Sequence, residues 1–273
     1  TAPSRYKTHF IDKRGGRGKR EISQPTKEIK YLQRILVRDE LCSLPIHDAA
    51  IGYRVGKGIH DHAQPHAAAR YLLKLDFKDF FPSLKFASLE HRLSVDTTYS
   101  PIERWILGNL LCRRPKGSNV LQLSIGAPSS PFVSNYLLRE FDEQIAEYCQ
   151  QTNARYTRYA DDLAFSTSQA GHLDSIESKV RNLVSELSYL GLSLNEAKTI
   201  NVSTKRRRTL VGLTLSNQGN ASIGREAKRV LRSALHKFSN GELSPSEAAN
   251  LKGRLDSEER RVGKECRSRW SPY

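Results

Sequence analysis

The chain has 273 residues, 38% of them hydrophobic, enough for a sizeable core in one large domain or two modest ones. No apolar run has the length needed to cross a bilayer, residues 1–10 lack the apolar stretch of a signal peptide, and Cys42, Cys112, Cys149 and Cys266 show neither metal-ligand spacing nor a disulfide framework, so a reduced, cytoplasmic protein with no membrane partner is expected. Lys and Arg number 44 against 29 Asp and Glu, a net charge of +15, which favours a polyanionic partner, chiefly nucleic acid.

In chain order, residues 5–23 read as a basic hairpin: Tyr6–Ile11 extended, a turn at Gly15-Gly16-Arg17-Gly18, and a return over Arg20–Ser23. Ile29, Leu32, Ile35 and Leu36 then recur at helical spacing from about Thr26. After Pro45 comes a glycine-dotted segment, Ile51–Gly58, and then Tyr71–Phe77, a buried strand that ends in the acid Asp76. Helices are expected over Ser83–Leu93 and Pro101–Cys112, and one long helix from about Ala127 to Tyr148. Arg155–Tyr159 and Leu163–Thr167 form two short strands joined by Ala160-Asp161-Asp162. Leu173–Leu190 follows as an amphipathic helix stopped by Gly191, then strands over Lys198–Val202 and Thr209–Leu215, and helices from about Arg225 and Ser244. Strands and helices mix without a strict βαβ repeat, which argues an α+β fold. Residues 260–273 have no apolar period and are set apart as a basic tail or as sequence foreign to the domain.

The chemistry concentrates in carboxylates. Asp161 and Asp162 sit on one tight connection between two apolar strands, and two ionised carboxylates about 4 Å apart repel by roughly 4 kcal/mol at an effective dielectric near 20. Cations offset that cost. Mg²⁺ takes carboxylate oxygens together with substrate phosphates, and a pair of such ions activates a 3′-hydroxyl and stabilises leaving pyrophosphate. The mechanism needs a further carboxylate from another strand, for which Asp76 is the natural candidate. An isolated Asp-Asp pair is more often a solvated turn, so the setting of this pair decides its meaning.

That setting carries a resemblance. Tyr159-Ala160-Asp161-Asp162 resembles the Tyr-x-Asp-Asp signature of reverse transcriptases, and Leu75–Ser83 resembles their first catalytic motif. Ser124–Pro131 is similar to the motif that faces template and nucleotide, Gly191–Thr199 to the motif whose lysine, here Lys198, lies near the triphosphate, and Val211-Gly212-Leu213 to the primer-grip turn. All occur in the family's order over roughly residues 5–240. Leu44–Tyr53 and His62–His66 resemble segments of the retron-type bacterial enzymes. The departures are His62 where the latter element has Asn, Leu210 and Val211 where Val-Thr-Gly is common, and Ile125 where many relatives have Gln.

The resemblance implies a right-hand polymerase: fingers over 1–70 and 101–125, palm over 71–100 and 126–215, and a short thumb over 216–259. It implies RNA-directed DNA synthesis on a structured non-coding RNA, giving an RNA–DNA product linked to phage defence. A group II intron-like or other defence-associated enzyme, or a non-catalytic RNA-binding scaffold, is the alternative. Asp76, Asp161 and Asp162 would hold two Mg²⁺ ions, with Mn²⁺ as a substitute and Phe77 joining at the metal and nucleotide. Deoxynucleoside triphosphates would meet Lys13, Arg20, Gly126 and Lys198, with Phe81 beneath the sugar as a steric gate; nucleic acid would meet His66, Arg206, Arg207 and Gly212. An effector protein is a further expected partner.

Overall fold

The computed structural model describes residues 1–12 and 18–262, with side chains through Leu255. Lys13, most of the expected glycine turn, and residues 263–273 of the expected tail lie outside the described residues. In chain order the elements are β1 (Tyr6–Asp12), β2 (Lys19–Pro25), α1 (Lys27–Ile35), α2 (Ile59–Ala63), β3 (Tyr71–Asp76), α3 (Phe80–Ser83), α4 (Phe86–Asp96), α5 (Pro101–Leu111), α6 (Ser130–Leu137) and α7 (Arg139–Gln151). There follow β4 (Arg155–Tyr159), β5 (Asp162–Thr167), α8 (His172–Glu186), β6 (Ile200–Ser203), β7 (Arg208–Leu210), β8 (Leu213–Leu215), β9 (Ala221–Ser222), α9 (Gly224–Ser239) and α10 (Pro245–Val262). The mixture is α+β, as the sequence pattern implies. Among the described residues no helix is long and apolar enough to cross a membrane.

Among the boundaries that differ from the sequence reading, three have a physical reason in the structure. The helix expected over 127–148 is two, α6 and α7, broken at Leu138, whose ψ is 4°. Val133 to Leu138 are all buried, and a straight amphipathic helix covers only one stripe, so the break lets consecutive residues turn inward. The strand expected over 209–215 is a hairpin, β7 paired antiparallel with β8, turning through Val211 (φ 44°) and Gly212 (φ 87°). Left-handed backbone at both positions is what a two-residue hairpin turn requires. Finally, β6 starts two residues late because Glu196–Lys198 forms a 3-10 turn.

The chain separates into two compact units, whose limits cut across the finger, palm and thumb boundaries read from sequence. The first comprises Thr1–Ala50, Asp76–Tyr148 and Glu177–Ala197. Here β1 pairs antiparallel with β2, from Tyr6 opposite Pro25 to Asp12 opposite Lys19. Buried Gln33 of α1 donates to the Leu110 carbonyl of α5 at 2.7 Å and to the Tyr6 hydroxyl at 3.0 Å. Segment 193–195 runs antiparallel beside 76–78: Phe77 bridges Leu194, the Lys78 amide donates to the Ser193 carbonyl at 2.9 Å, and the Asn195 amide donates to the Asp76 carbonyl at 2.8 Å.

The second unit comprises Ile51–Leu75, Cys149–Ile176 and the chain from Lys198 onward. Its sheet has the order β4-β5-β3-β6. Leu163 to Thr167 of β5 are buried without alternation, the pattern of a strand covered on both faces. Leu72, Ala164, Leu210, Leu213, Leu215, Leu231 and Leu251 form its core with Ala63 and Ala67 of the α2 region.

Candidate active site

β4 and β5 are adjacent antiparallel strands, and Tyr159 lies opposite Asp162 in the last pair before the turn. Ala160 and Asp161 make that turn, with Ala160 at φ 59°. A two-residue connection with left-handed backbone matches the twist of the strands and forces both carboxylates onto one tip. Both are half-buried.

The tip is braced from behind. Arg158, fully buried, donates from Nη1 to the Ala160 carbonyl at 3.1 Å. Its own carbonyl accepts from the Ile51 amide at 2.8 Å, which ties the 51–58 loop to the hairpin. Gly52 sits so close that a Cβ there would lie 2.7 Å from the Ala160 nitrogen. Only the absent side chain permits that approach.

On the face carrying Thr157, Tyr159 and Asp162, the hairpin meets α2 and the 3-10 turn Gln64–His66. His66 bonds Ser166 of β5 through Nδ1 at 2.7 Å and Thr157 of β4 through Nε2 at 2.8 Å. His62 Nδ1 meets the same Thr157 hydroxyl at 2.7 Å, and its ring lies 5.8 Å from that of Tyr159. Burial holds the His66 ring at about 3 and that of His62 well below the ordinary histidine range, so both rings are neutral at neutral pH.

Asp76, 5% exposed, closes β3, the sheet neighbour of β5, and its Oδ1 accepts from Asn195 Nδ2 at 3.4 Å. Phe77 turns its ring into the core, stacked on Phe80 at 5.8 Å and edge-on to Phe141 at 5.6 Å, so only its backbone is available to a nucleotide or metal. Phe81 is half-buried and tilted against Phe80 at 5.2 Å. Among the described residues no group of three or more His, Cys, Asp or Glu is gathered closely enough to hold a metal ion. The adjacent pair Asp161-Asp162 offers hard oxygen donors, the donor type Mg²⁺ takes with water and phosphate completing its shell.

The expected nucleotide-binding residues divide. Arg20 is exposed on β2, opposite Ile11. Gly126 (φ 109°) lies against that strand, where a Cβ would meet Gln24 at 3.0 Å, and the neighbouring Ile125 carbonyl accepts from the Ser23 amide at 2.8 Å. Arg20 and Gly126 thus belong to one small assembly in the first unit, to which Arg113 is tied by its 2.5 Å ion pair with Glu21. Lys198 is half-buried at the end of its 3-10 turn.

One expectation for nucleic-acid contact is corrected. His66 has no exposed surface and both ring nitrogens are engaged, so it cannot touch RNA directly. Arg208, which follows Arg206 and Arg207 in the chain, is buried: its guanidinium donates to the Ala69 carbonyl and, at 3.1 Å, to the Ser216 carbonyl. Lys205, Arg206 and Arg207 remain exposed, as does Gly212 in the β7–β8 turn. Sequence reasoning missed Arg158, Gly52, Thr157 and Asn195. Thr157 gave no motif signal and Gly52 lay inside the Leu44–Tyr53 segment without a role of its own, whereas Arg158 could have been suspected as a charge set inside an apolar strand.

The family model for reverse transcriptase (RNA-dependent DNA polymerase) matches residues 11–215. The chain is 37% identical over 254 residues to the Retron Ec83 reverse transcriptase of Escherichia coli, covering 91% of this chain and 80% of the relative. It is 32% identical over 251 residues to the Retron Ec86 reverse transcriptase of the same organism (90% and 74%), and 31% identical over 263 residues to the Retron Mx65 reverse transcriptase of Myxococcus xanthus (92% and 60%). Among solved structures it is similar to telomerase from Candida tropicalis in complex with a fragment of telomeric RNA, with TM-score 0.53, 13% identity, and coverage of 87% of this chain and 50% of that one. Apo telomerase from that source gives TM-score 0.52 at 14% identity, covering 78% and 46%. At such identity the likeness is one of fold, the right-hand polymerase. With an Asp-Asp hairpin tip, a neighbouring strand ending in Asp76 and these relatives across nine-tenths of its length, the chain belongs to the retron-type reverse transcriptases, a family of RNA-directed DNA polymerases.

Proposed function

We propose that the protein extends a primer on a structured non-coding RNA by two-metal nucleotidyl transfer, with Asp76, Asp161 and Asp162 as the metal-holding carboxylates. The observation that carries this reading is the β4–β5 hairpin: two half-buried carboxylates on one tip, beside the strand that Asp76 ends. When bound, Mg²⁺ supplies a more acidic 3′-hydroxyl and charge neutralisation for leaving pyrophosphate. The protein's part is positional. Arg158 and the Ile51–Gly52 contact fix the tip, and Asn195 holds the Asp76 carboxylate. Preorganised charge of this kind supplies most of the stabilisation in phosphoryl-transfer sites.

In the same reading, Lys13, Arg20, Lys198 and Gly126 serve the triphosphate, with Phe81 as the steric gate excluding a 2′-hydroxyl. Arginine suits that task through its bidentate fork. Arg206, Arg207 and the Gly212 turn follow the phosphate backbone of the RNA–DNA duplex. Residues 1–70 and 101–125 act as fingers, 71–100 and 126–215 as palm, and 216–259 as thumb. The product, an RNA–DNA hybrid molecule, works in phage defence with an effector protein in the cytoplasm.

Asp161→Asn is the direct test, because it removes one charge and keeps the shape. Extension of a primed RNA template should fall by at least about a hundredfold, the loss expected when one transition-state contact worth several kcal/mol is removed. Near-normal extension by a folded Asp161→Asn protein refutes the carboxylate assignment.

A further inference from the structure

Four polar side chains, Thr157, Ser166, His62 and His66, lie deep in the second unit with 8% or less of their surface exposed. Thr157 is their hub. Its hydroxyl reaches His62 Nδ1 at 2.7 Å, His66 Nε2 at 2.8 Å and the His62 carbonyl at 3.2 Å. One assignment satisfies every contact. Thr157 donates to the His62 carbonyl and accepts from both imidazoles, and Ser166 donates to His66 Nδ1 at 2.7 Å. It needs the His66 ring neutral, because Nδ1 accepts while Nε2 donates.

Stability alone does not explain the set. Apolar side chains of the same volume would fill this interior without desolvating four polar groups, and His62 Nε2 is left buried with no hydrogen-bond partner. What hydrogen bonds add over apolar packing is direction: they fix strands against sliding and rotation. The register gives that direction a target. Thr157 opposes Ala164 and Tyr159 opposes Asp162, so Thr157, Tyr159 and Asp162 share one face of the hairpin. His66 joins its two strands at Thr157 and Ser166, and His62 lies against Tyr159, next to the turn.

We propose that Thr157, clamped between His62 and His66, is a positioning residue that sets the placement of the Asp161-Asp162 tip. The inference rests on the carboxylate reading above. A tip shifted by about 1 Å still folds and still binds nucleic acid, yet loses about a hundredfold in rate. The signature is therefore a rate and metal effect without a binding effect.

The test compares Thr157→Val, which keeps the volume and deletes the hub, with Thr157→Ser, which keeps the hydroxyl. Thermal unfolding, the active fraction by single-turnover burst, kcat, KM for primed RNA and the Mg²⁺ concentration for half-maximal rate are measured on each. For Thr157→Val, kcat per active molecule should fall at least about tenfold and the Mg²⁺ requirement should rise at least about threefold, with KM for primed RNA within about twofold. Thr157→Ser should restore both. A Thr157→Val protein that loses only melting temperature or active fraction, with unchanged kcat per active molecule and Mg²⁺ requirement, overturns the proposal. If Thr157→Val does not fold, Ser166→Ala, which frees His66 from β5, is read by the same criteria. Asp161→Asn in the same assay separates the two levels. If it remains active, both the carboxylate reading and this inference fall; if it is inactive while Thr157→Val behaves as the parent, only this inference falls.

Discussion

At the scale of single residues, the site depends on one missing side chain as much as on the carboxylates. A Cβ on Gly52 would lie 2.7 Å from the Ala160 nitrogen and 3.2 Å from the Tyr159 carbonyl carbon, both backbone atoms that cannot swing aside. Either the 51–58 loop lifts or the Ala160-Asp161 turn moves. Gly52→Ala should therefore cost about 1–3 kcal/mol, the usual result of overpacking. It should also depress primer extension at least about tenfold, since the displaced atoms belong to the turn that carries the carboxylates. Urea unfolding and single-turnover extension on the same preparation check this. Wild-type extension from a Gly52→Ala protein of reduced stability means that the loop absorbs the clash and does not set the tip.

Among the elements, the β4–β5 hairpin and its α2 support show what could be read in the chain and what could not. The hairpin was legible because its signals are local: two short apolar strands with two acids between them. The 127–148 break was not, because six successive buried residues mean nothing until neighbours surround them. Nor was the role of His62 and His66. A histidine in a polar stretch reads as surface, and only the pairing of β4 with β5 places Thr157 and Ser166 within its reach. Likewise the four-residue basic run 205–208 looks uniform, yet β7 turns Arg208 inward where carbonyls receive it.

The buried pair of rings has a pH consequence whose sign follows from linkage. Folded His66 is depressed to about 3 by burial, with Arg155 adding to the effect, and His62 is lowered by burial and by His66, Lys74 and Arg158. In the unfolded chain both titrate near 6.5. The unfolded state therefore takes up protons first as pH falls. This stability contribution is fully present above about pH 6.5 and is lost on going down toward pH 3, by at most about 1.4 kcal/mol per pH unit for each ring. Carboxylates held low by hydrogen bonds, such as Glu103 and Glu196, lose their contribution only at lower pH, which leaves the window from about 6.5 to 5 to the histidines. Melting temperature should drop across that window in the parent protein and drop less steeply in His66→Gln. Parallel curves for the two proteins would contradict the neutral, buried state of His66.

Over the whole molecule, the net charge of +15 attracts any nucleic acid, so affinity alone says little about specificity. The exposed cations of the β6–β7 connection offer a way to separate charge from shape. Arg206 and Arg207 are exposed, whereas Arg208 is committed to backbone carbonyls. Replacing Arg206 and Arg207 with Ala should weaken binding to every RNA to a similar degree, since phosphate contacts position without specifying. Each lost contact should reduce the slope of log affinity against log salt by about 0.7–0.9. Arg208→Ala should act differently: deleting a buried donor set removes the guanidinium bond to the Ala69 carbonyl and one of the two bonds to the Ser216 carbonyl, so it should lower melting temperature and leave the salt slope of the folded fraction unchanged. The measurement is binding at several salt concentrations to a structured RNA and to a scrambled strand of equal length. A structured RNA read through its loops and 2′-hydroxyls should keep its advantage over the scrambled strand in the Arg206 and Arg207 variant, because that advantage does not come from charge. If the parent protein binds both strands equally at every salt concentration, recognition of a cognate structured RNA fails, and what remains is a polymerase guided to its template by charge.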